Sequence, residues 1–361
     1  MNTEFYPLTI AKVERLTKDA VALTFDLPAD LADTFKYIQG QHLTLKADIN
    51  GEDIRRSYSI CQGVNEQQLQ VGIKAIDGGV FSNYANTELK AGMTLEVMPP
   101  QGHFYTELNS ANQKHYLFIA VGSGITPNLA HIRSVLANEP NSKVTLLYGN
   151  KSTALMMFRE NLAFIKNQYL TRFQQVNLFT REENEADVLN GRISAQKILD
   201  LHKARVIAIN EFSDVFICGP EAMINEVAGA FKHWQFTDEQ IHYELFYSGA
   251  FEEQAAQKQA ERAEKFGEQI SVVSVKVAGR KTFMDLAASG DNILDAAMDS
   301  GADLPFSCKG GVCATCKAKV IKGEVEMDMN HSLTEKEVAD GFILTCQAHP
   351  VSEQVEIDFD F

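Results

Sequence analysis

The chain has 361 residues, 45% of them apolar, with 33 Lys and Arg against 48 Asp and Glu, a formal net charge of −15. That length allows two or three domains with ample core, and no apolar run reaches the ~20 residues a membrane-crossing helix needs. The acidity and the lack of a Lys/Arg-rich face argue against nucleic acid as a partner. The polar, charged amino terminus has no apolar signal core or cleavage site, so a cytoplasmic location without secretory disulfides is expected.

Up to about residue 110 the sequence reads as short strands with partial alternation: Pro7 to Leu16, Ala20 to Leu27, Gln41 to Ala47, Arg56 to Ile60, Gln68 to Ile76 and Met93 to Met98. Strands without a strong helix among them predict a small antiparallel β-barrel over residues 1–110. Over 111–250 apolar runs at Tyr116 to Val121, Val144 to Tyr148, Gln174 to Phe179 and Asp214 to Cys218 alternate with helical patterns at Asn128 to Ala137, Ala154 to Lys166, Ser194 to His202 and Ala222 to Trp234. That rhythm predicts an α/β domain with a doubly wound parallel sheet. Residues 251–269 are rich in Gln, Ala, Glu and Lys, with little to bury, and read as a linker that is partly helical. The remaining residues, 270–361, offer strands at Ser271 to Val277 and Lys281 to Leu286, a helix at Asn292 to Ser300, a strand pair and a closing strand at Gln354 to Phe359.

That last segment carries the sharpest signal. Cys308, Cys313, Cys316 and Cys346 leave four, two and twenty-nine residues between them, the plant-type spacing for a [2Fe–2S] cluster. Gly310 and Gly311, between the first two, let backbone amides approach the sulfides. A structural zinc site would show two separated C-x-x-C pairs, and only Cys313 to Cys316 has that spacing. Cys61 and Cys218 lie in apolar segments and read as small buried hydrophobes. From Ile270 onward 15 Asp and Glu outnumber 8 Lys and Arg; such a surface serves solubility, or steers docking toward a basic face on an electron acceptor.

A cluster that moves single electrons needs a converter if its donor gives two, which points upstream to a flavin. On the strand Arg56-Ser57-Tyr58-Ser59, Arg56 and Tyr58 share one face and Ser57 and Ser59 the other. An Arg there can hold a pyrophosphate and a Tyr can lie against an isoalloxazine ring; the plain alternative is a solvated strand with a core Tyr. Gly78-Gly79-Val80-Phe81-Ser82 opens a short helix and offers amides and a hydroxyl to a diphosphate, or is an ordinary glycine turn. Gly122-Ser123-Gly124-Ile125-Thr126-Pro127 joins the first buried strand to a helix, where its amides can meet dinucleotide phosphates, although the third glycine of G-x-G-x-x-G is missing. Thr180 and Arg181, with Lys151 after Tyr148-Gly149-Asn150, can bind an adenosine 2′-phosphate. Cys218-Gly219-Pro220 ends a sheet strand at the edge where such folds bind ligands.

In this order RSYS, GGVFS, GSGITP, YGNK, TR and CGP resemble the ferredoxin-NADP reductase family, and the cysteine-bearing tail resembles plant-type ferredoxins of β-grasp fold. The resemblance covers nearly the whole chain. It implies a multidomain protein: an antiparallel β-barrel FAD domain, an α/β doubly wound NADP-binding domain and a β-grasp ferredoxin domain. By that resemblance Arg56, Tyr58 and Ser59 contact FAD, Gly79 and Ser82 its diphosphate, and Gly122, Thr126 and Cys218 the nicotinamide side. The family's usual Arg after YGN is Lys151 here, which keeps charge but loses bidentate geometry. The implied activity is NADPH-dependent reduction of FAD, then of the [2Fe–2S] cluster, then of a partner oxygenase, a di-iron epoxidase. A reductase for a membrane fatty-acyl desaturase or a hybrid-cluster protein, and a non-catalytic iron–sulfur redox sensor, are the alternatives.

Overall fold

Alternating apolar residues in the first hundred positions build a six-stranded antiparallel sheet from β1 (Tyr6–Thr17), β2 (Ala20–Asp26), β3 (His42–Ile49), β4 (Glu52–Ser59), β5 (Leu69–Lys74) and β6 (Thr94–Gln101), in the order β4-β3-β6-β1-β2-β5. An isolated bridge from Ile60 to Val71 ties the two outer strands together and closes the sheet into a barrel. Leu43 and Leu45 of β3 belong to the core that fills it, with Leu8, Val21, Phe35 and Val97, and the partly buried Tyr58 of β4 packs against that core. β4 starts four residues before the expected Arg56, because Asn50 (φ 59°) and Gly51 (φ 84°) make a two-residue hairpin with β3. Positive φ at both positions is what a type I′ turn demands. Between β5 and β6 lies α1 (Val80–Thr87).

The next stretch follows the expected alternation: β7 (His115–Val121), α2 (Ile125–Asn138), β8 (Lys143–Asn150), α3 (Arg159–Gln168), β9 (Phe173–Phe179), α4 (Ala195–Lys203), β10 (Asp214–Gly219), α5 (Glu221–His233) and β11 (Ile241–Leu245). The five strands are parallel in the order β11-β10-β7-β8-β9. The chain reverses direction across the sheet between β7 and β10, so their carboxyl ends flank the crevice where ligands bind in such folds. β11 has no counterpart in the sequence reading. The barrel and this sheet touch closely: a Cβ on Gly72 of β5 would lie 2.8 Å from Thr126 Cγ2.

The structure is a computed structural model that describes residues 3–66, 68–246, 250–267 and 269–361. The chain divides into two compact units at 246/247. The second unit contains α6 (Ala250–Phe266), β12 (Ile270–Val277), β13 (Arg280–Ala287), α7 (Ile293–Asp299), β14 (Lys317–Lys322), β15 (Val325–Met327), α8 (Glu335–Ala339), β16 (Phe342–Leu344), β17 (Ala348–Pro350) and β18 (Gln354–Asp358). A mixed sheet, β13-β12-β18-β14-β16, is crossed by α7, with β15 and β17 as a separate ribbon. β12 and β18 pair in parallel, and Val273, Val275, Leu294, Ala297, Ile343 and Ile357 fill the core. The stretch expected to be a linker is the helix α6, and it does bury a side chain: Arg262 is only 3% exposed. An isolated charged residue in a polar run gives no sequence sign that it has a buried partner far along the chain. Among the described residues no helix is long and apolar enough to cross a membrane.

Candidate redox site

The flavin-side motifs converge in the barrel. Tyr58 and Phe81 pack with ring centroids 5.7 Å apart, which brings the RSYS strand against the helix that GGVFS opens. Arg56 is exposed and its Nη1 donates to the Arg55 carbonyl. Gly78 (φ 72°) turns the chain into α1, whose N-cap Gly79 supplies no side-chain bond, so the first-turn amides have no side-chain acceptor and suit an anionic group. The Ser82 hydroxyl is already engaged, donating to Gly79 O and accepting from Ile76 N–H. Any phosphate contact at Ser82 therefore falls to its backbone. Ser57 Oγ lies 3.2 Å from Thr44 Oγ1, on the face opposite Tyr58. These residues fit a flavin diphosphate beside an aromatic ring.

On the nucleotide side, Gly122 takes φ 57° and its carbonyl accepts from Tyr148 Oη. Gly124 abuts β10 so tightly that a Cβ would sit 2.1 Å from the Cys218 carbonyl oxygen. GSGITP and CGP thus form one packed turn at the carboxyl ends of β7 and β10. Thr126 is buried and donates to Ser123 O. Cys218 is fully buried, and its thiol is held well above its ordinary range by desolvation and by Glu244. Gly219 packs against Val121 and Met223. Lys151 and Thr180-Arg181 follow β8 and β9 and are joined by Arg181 N–H donating to Lys151 O. Lys151, Thr180 and Arg181 are exposed, and among the described residues neither cation has a side-chain partner. The adjacent Glu182 is occupied: its carboxylate accepts from Thr153 N–H at 2.7 Å and Thr153 Oγ1 at 2.6 Å.

Glu244 was not anticipated. It lies beside Cys218 in the β10–β11 register, and its Oε2 accepts from Ser59 Oγ at 3.0 Å. Burial of the carboxyl lifts its pKa to about 8, against the hydrogen bond from Ser59, so at neutral pH it is largely a carboxylic acid. A protonated carboxyl beside Ser59 and Cys218 can hold or release a proton where the flavin and nicotinamide motifs meet. The sequence signal was faint, a single Glu between Tyr243 and Leu245 in a stretch that carries no strand pattern.

In the second unit the four cysteines come together as two pairs. Cys313 acts most strongly on Cys308, and Cys316 on Cys346. All four are buried except Cys308, which is partly exposed. The Cys346 thiol is pushed well up by Cys316, burial and the charges of the other two cysteines, a repulsion that cationic irons would relieve. Lys309 (φ 52°), Gly311 (φ 73°) and Ala314 (φ 56°) curl the loop around the sulfurs, and Gly310 N–H donates to Cys308 Sγ at 3.3 Å. Two thiol pairs suit a two-iron cluster with two thiolates per iron. Cys61 is fully buried and donates to Gln70 O, apart from this quartet.

Three family models match in chain order: the oxidoreductase FAD-binding domain over residues 7–105, the oxidoreductase NAD-binding domain over 118–229 and the 2Fe-2S iron-sulfur cluster binding domain over 275–351. Together they define a pyridine-nucleotide-dependent flavin and iron–sulfur reductase. One component of the 1,2-phenylacetyl-CoA epoxidase of Escherichia coli (strain K12) is 45% identical over 99% of this chain and 98% of its own length. The ferredoxin reductase component of 3-ketosteroid-9-alpha-monooxygenase from Rhodococcus rhodochrous is 29% identical over 98% and 96%. Phthalate dioxygenase reductase shares the fold, with a TM-score of 0.60 at 21% identity over 98% of both chains. The chain belongs to the family of oxygenase reductase components that contains this 1,2-phenylacetyl-CoA epoxidase component.

Proposed function

We propose that this reductase draws on NADPH and delivers electrons to a di-iron epoxidase acting on phenylacetyl-CoA, in phenylacetate degradation. The observation that supports this acceptor above others is the 45% identity, end to end, to the epoxidase component, against 29% for the ketosteroid system. FAD accepts a hydride and releases single electrons, which is why a nicotinamide donor and a one-electron cluster can share one polypeptide. In this reading Arg56 and the Ser82 amide hold its diphosphate beside Gly79, whose own N–H donates to Ile76 O, Tyr58 lies along the ring, and Ser57 and Ser59 line the strand beside it. Gly122, Gly124, Thr126, Cys218 and Gly219 hold the nicotinamide end of the coenzyme, and Cys308, Cys313, Cys316 and Cys346 ligate the [2Fe–2S] cluster.

The choice of NADPH rests on Lys151 and Arg181. Both are exposed at neighbouring strand ends and have no side-chain partner among the described residues, while Glu182, the carboxylate next to Arg181, is tied to Thr153 and only the exposed Glu183 competes with them. A free carboxylate there would favour the 2′-hydroxyl of NADH, and two free cations favour a 2′-phosphate. A non-catalytic sensor does not fit a chain of this family. The test is to mix the purified holoprotein with the epoxidase and follow NADPH consumption with and without phenylacetyl-CoA. Substrate-dependent consumption is expected. Equal rates with and without substrate, alongside brisk reduction of ferricyanide, would remove the epoxidase as acceptor.

A further inference from the structure

Helix α6 meets the cluster-bearing fold through one buried contact and several exposed ones. Arg262 enters the protein with its side chain 4% exposed and pairs through Nη1 with Asp328, whose side chain is 7% exposed. Its Nε donates to Ala288 O at 3.0 Å. On the far side of Asp328, His349 Nε2 lies 3.2 Å from the second carboxylate oxygen. Burial and the Arg262 charge hold His349 down at about 4, so the ring beside Asp328 is neutral. Gln259 reaches Ser289 O at 2.9 Å, and Lys265 pairs with Glu326. A buried Arg with a single carboxylate partner is costly to desolvate, and a tether has no use for it.

The contact leads toward the thiols. Asp328 N–H donates to Gln347 O at 2.9 Å. The Gln347 amide donates to Lys309 O and Cys346 O, each at 2.9 Å, and lies 3.9 Å from Cys346 Sγ. The carbonyl of Met329, next to Asp328, approaches Gly311 so closely that a Cβ there would be 3.1 Å away. One step from Asp328 therefore reaches both the Cys308 to Cys313 loop and the fourth cysteine.

We propose that Arg262 is a positioning residue for the iron–sulfur centre, locking α6 onto the cluster-bearing fold and, through Asp328 and Gln347, fixing the loop that follows Cys308 and the amide that faces Cys346. The inference rests on the assignment of the four cysteines as cluster ligands. It makes α6 an arm of the cluster unit, so that whatever moves the helix also moves the cluster's hydrogen-bond shell. Charge sign separates this role from mere structural support. Loss of Arg262 leaves a carboxylate near the cluster and disfavours its reduction, whereas loss of the Asp328 charge leaves a guanidinium and favours it.

The experiment uses the full-length holoprotein as wild type, R262Q, R262K, D328N and K258A. The reduced cluster is followed by EPR in a potentiometric titration, and backbone amide exchange is measured on the same samples. At the potential where wild type is half reduced, the ratio of reduced to oxidised cluster should fall severalfold in R262Q and rise severalfold in D328N. Amides of residues 309–312 should exchange at least tenfold faster in both. R262K should stay close to wild type, and K258A, whose pair with Glu261 is exposed on the helix, should match it. Shifts in the same direction, or unchanged loop protection while α6 loses its own, would overturn the proposal. If R262Q does not retain iron, the D328N shift and its R262K control decide the question alone. Wild type without two irons and an EPR signal would instead refute the ligand assignment beneath it.

Discussion

Gly124→Ala tests whether the turn between β7 and α2 is a coenzyme site built by close packing. Gly124 has φ −60°, a conformation open to any residue, so only space requires glycine there. An added Cβ would lie 2.1 Å from the Cys218 carbonyl oxygen and 2.6 Å from its carbonyl carbon. Ordinary C···O approach is about 3.3 Å, so one of the two backbones must withdraw by roughly 1 Å. Neither can flex like a side-chain tip, because one is the centre of a sheet and the other opens a helix. Overpacking of this kind costs about 1–3 kcal/mol of stability. The functional cost is larger, because a displacement of ~1 Å in a positioning element can lower activity on the order of 100-fold. Gly229 in α5 supplies the control: nothing lies within 4 Å of its added Cβ, so Gly229→Ala should stabilise by up to about 1 kcal/mol through helix propensity. Flavin-loaded protein would be titrated with NADP⁺ by difference absorbance, and hydride transfer from NADPH followed by stopped flow. Gly124→Ala should keep its flavin spectrum and lose coenzyme binding, and Gly229→Ala should bind as wild type. Wild-type coenzyme affinity in a folded Gly124→Ala variant would refute the packing argument.

Arg181→Ala should raise KM for NADPH but hardly for NADH, since a charge-assisted contact is worth about 1.5–3 kcal/mol, or roughly tenfold to a hundredfold; equal losses would remove the 2′-phosphate role. Glu244 binds its proton more tightly when folded, so it costs no stability at low pH and erodes stability as pH rises toward and through about 8. Urea unfolding should therefore show Glu244→Gln gaining on wild type between about pH 5 and 8, by about 1–3 kcal/mol because the residue retains some solvent access; a difference independent of pH would contradict its raised pKa. Serine in place of Cys308, Cys313, Cys316 or Cys346 should abolish the two irons and leave FAD bound, whereas Cys61→Ala should keep both; iron analysis and visible spectra decide, and any serine variant that retains the cluster loses its place among the ligands.

What could be read from the sequence was set by how local each feature is. The first three cysteines, the strand–helix alternation after Lys114 and the glycine turns at Gly78-Gly79 and Gly122 are each written in short local patterns, and the fourth cysteine is legible only because its twenty-nine-residue offset matches a known spacing. The Asn50-Gly51 hairpin was equally local and was passed over in favour of Arg56, which displaced the start of β4. Glu244 and Arg262 were illegible for a different reason. Each is a lone charged residue whose local sequence does not reveal its burial, Glu244 between Tyr243 and Leu245 and Arg262 in a polar run, and what makes it important is a partner 185 or 66 positions away, Ser59 in one case and Asp328 in the other. Sequence pattern records the period of a buried face, and a single buried charge has no period.

The two units divide the chemistry along the same line. In the function proposed above, the first gathers the groups for phosphates and a proton: exposed Arg56, Lys151 and Arg181, helix amides with no side-chain cap, and a carboxyl held neutral beside Ser59. The second gathers the four sulfurs, and the buried imidazole against Asp328, His349, is held down at about 4 by burial and Arg262. Hydride transfer involves a proton-bearing group and a charged coenzyme, so it needs that first set, whereas single-electron transfer through a cluster needs a fixed hydrogen-bond shell and little change in local charge. Pairing Asp328 with Arg262, and leaving His349 uncharged, keeps the charge of that one contact constant across the pH range in which Glu244 titrates.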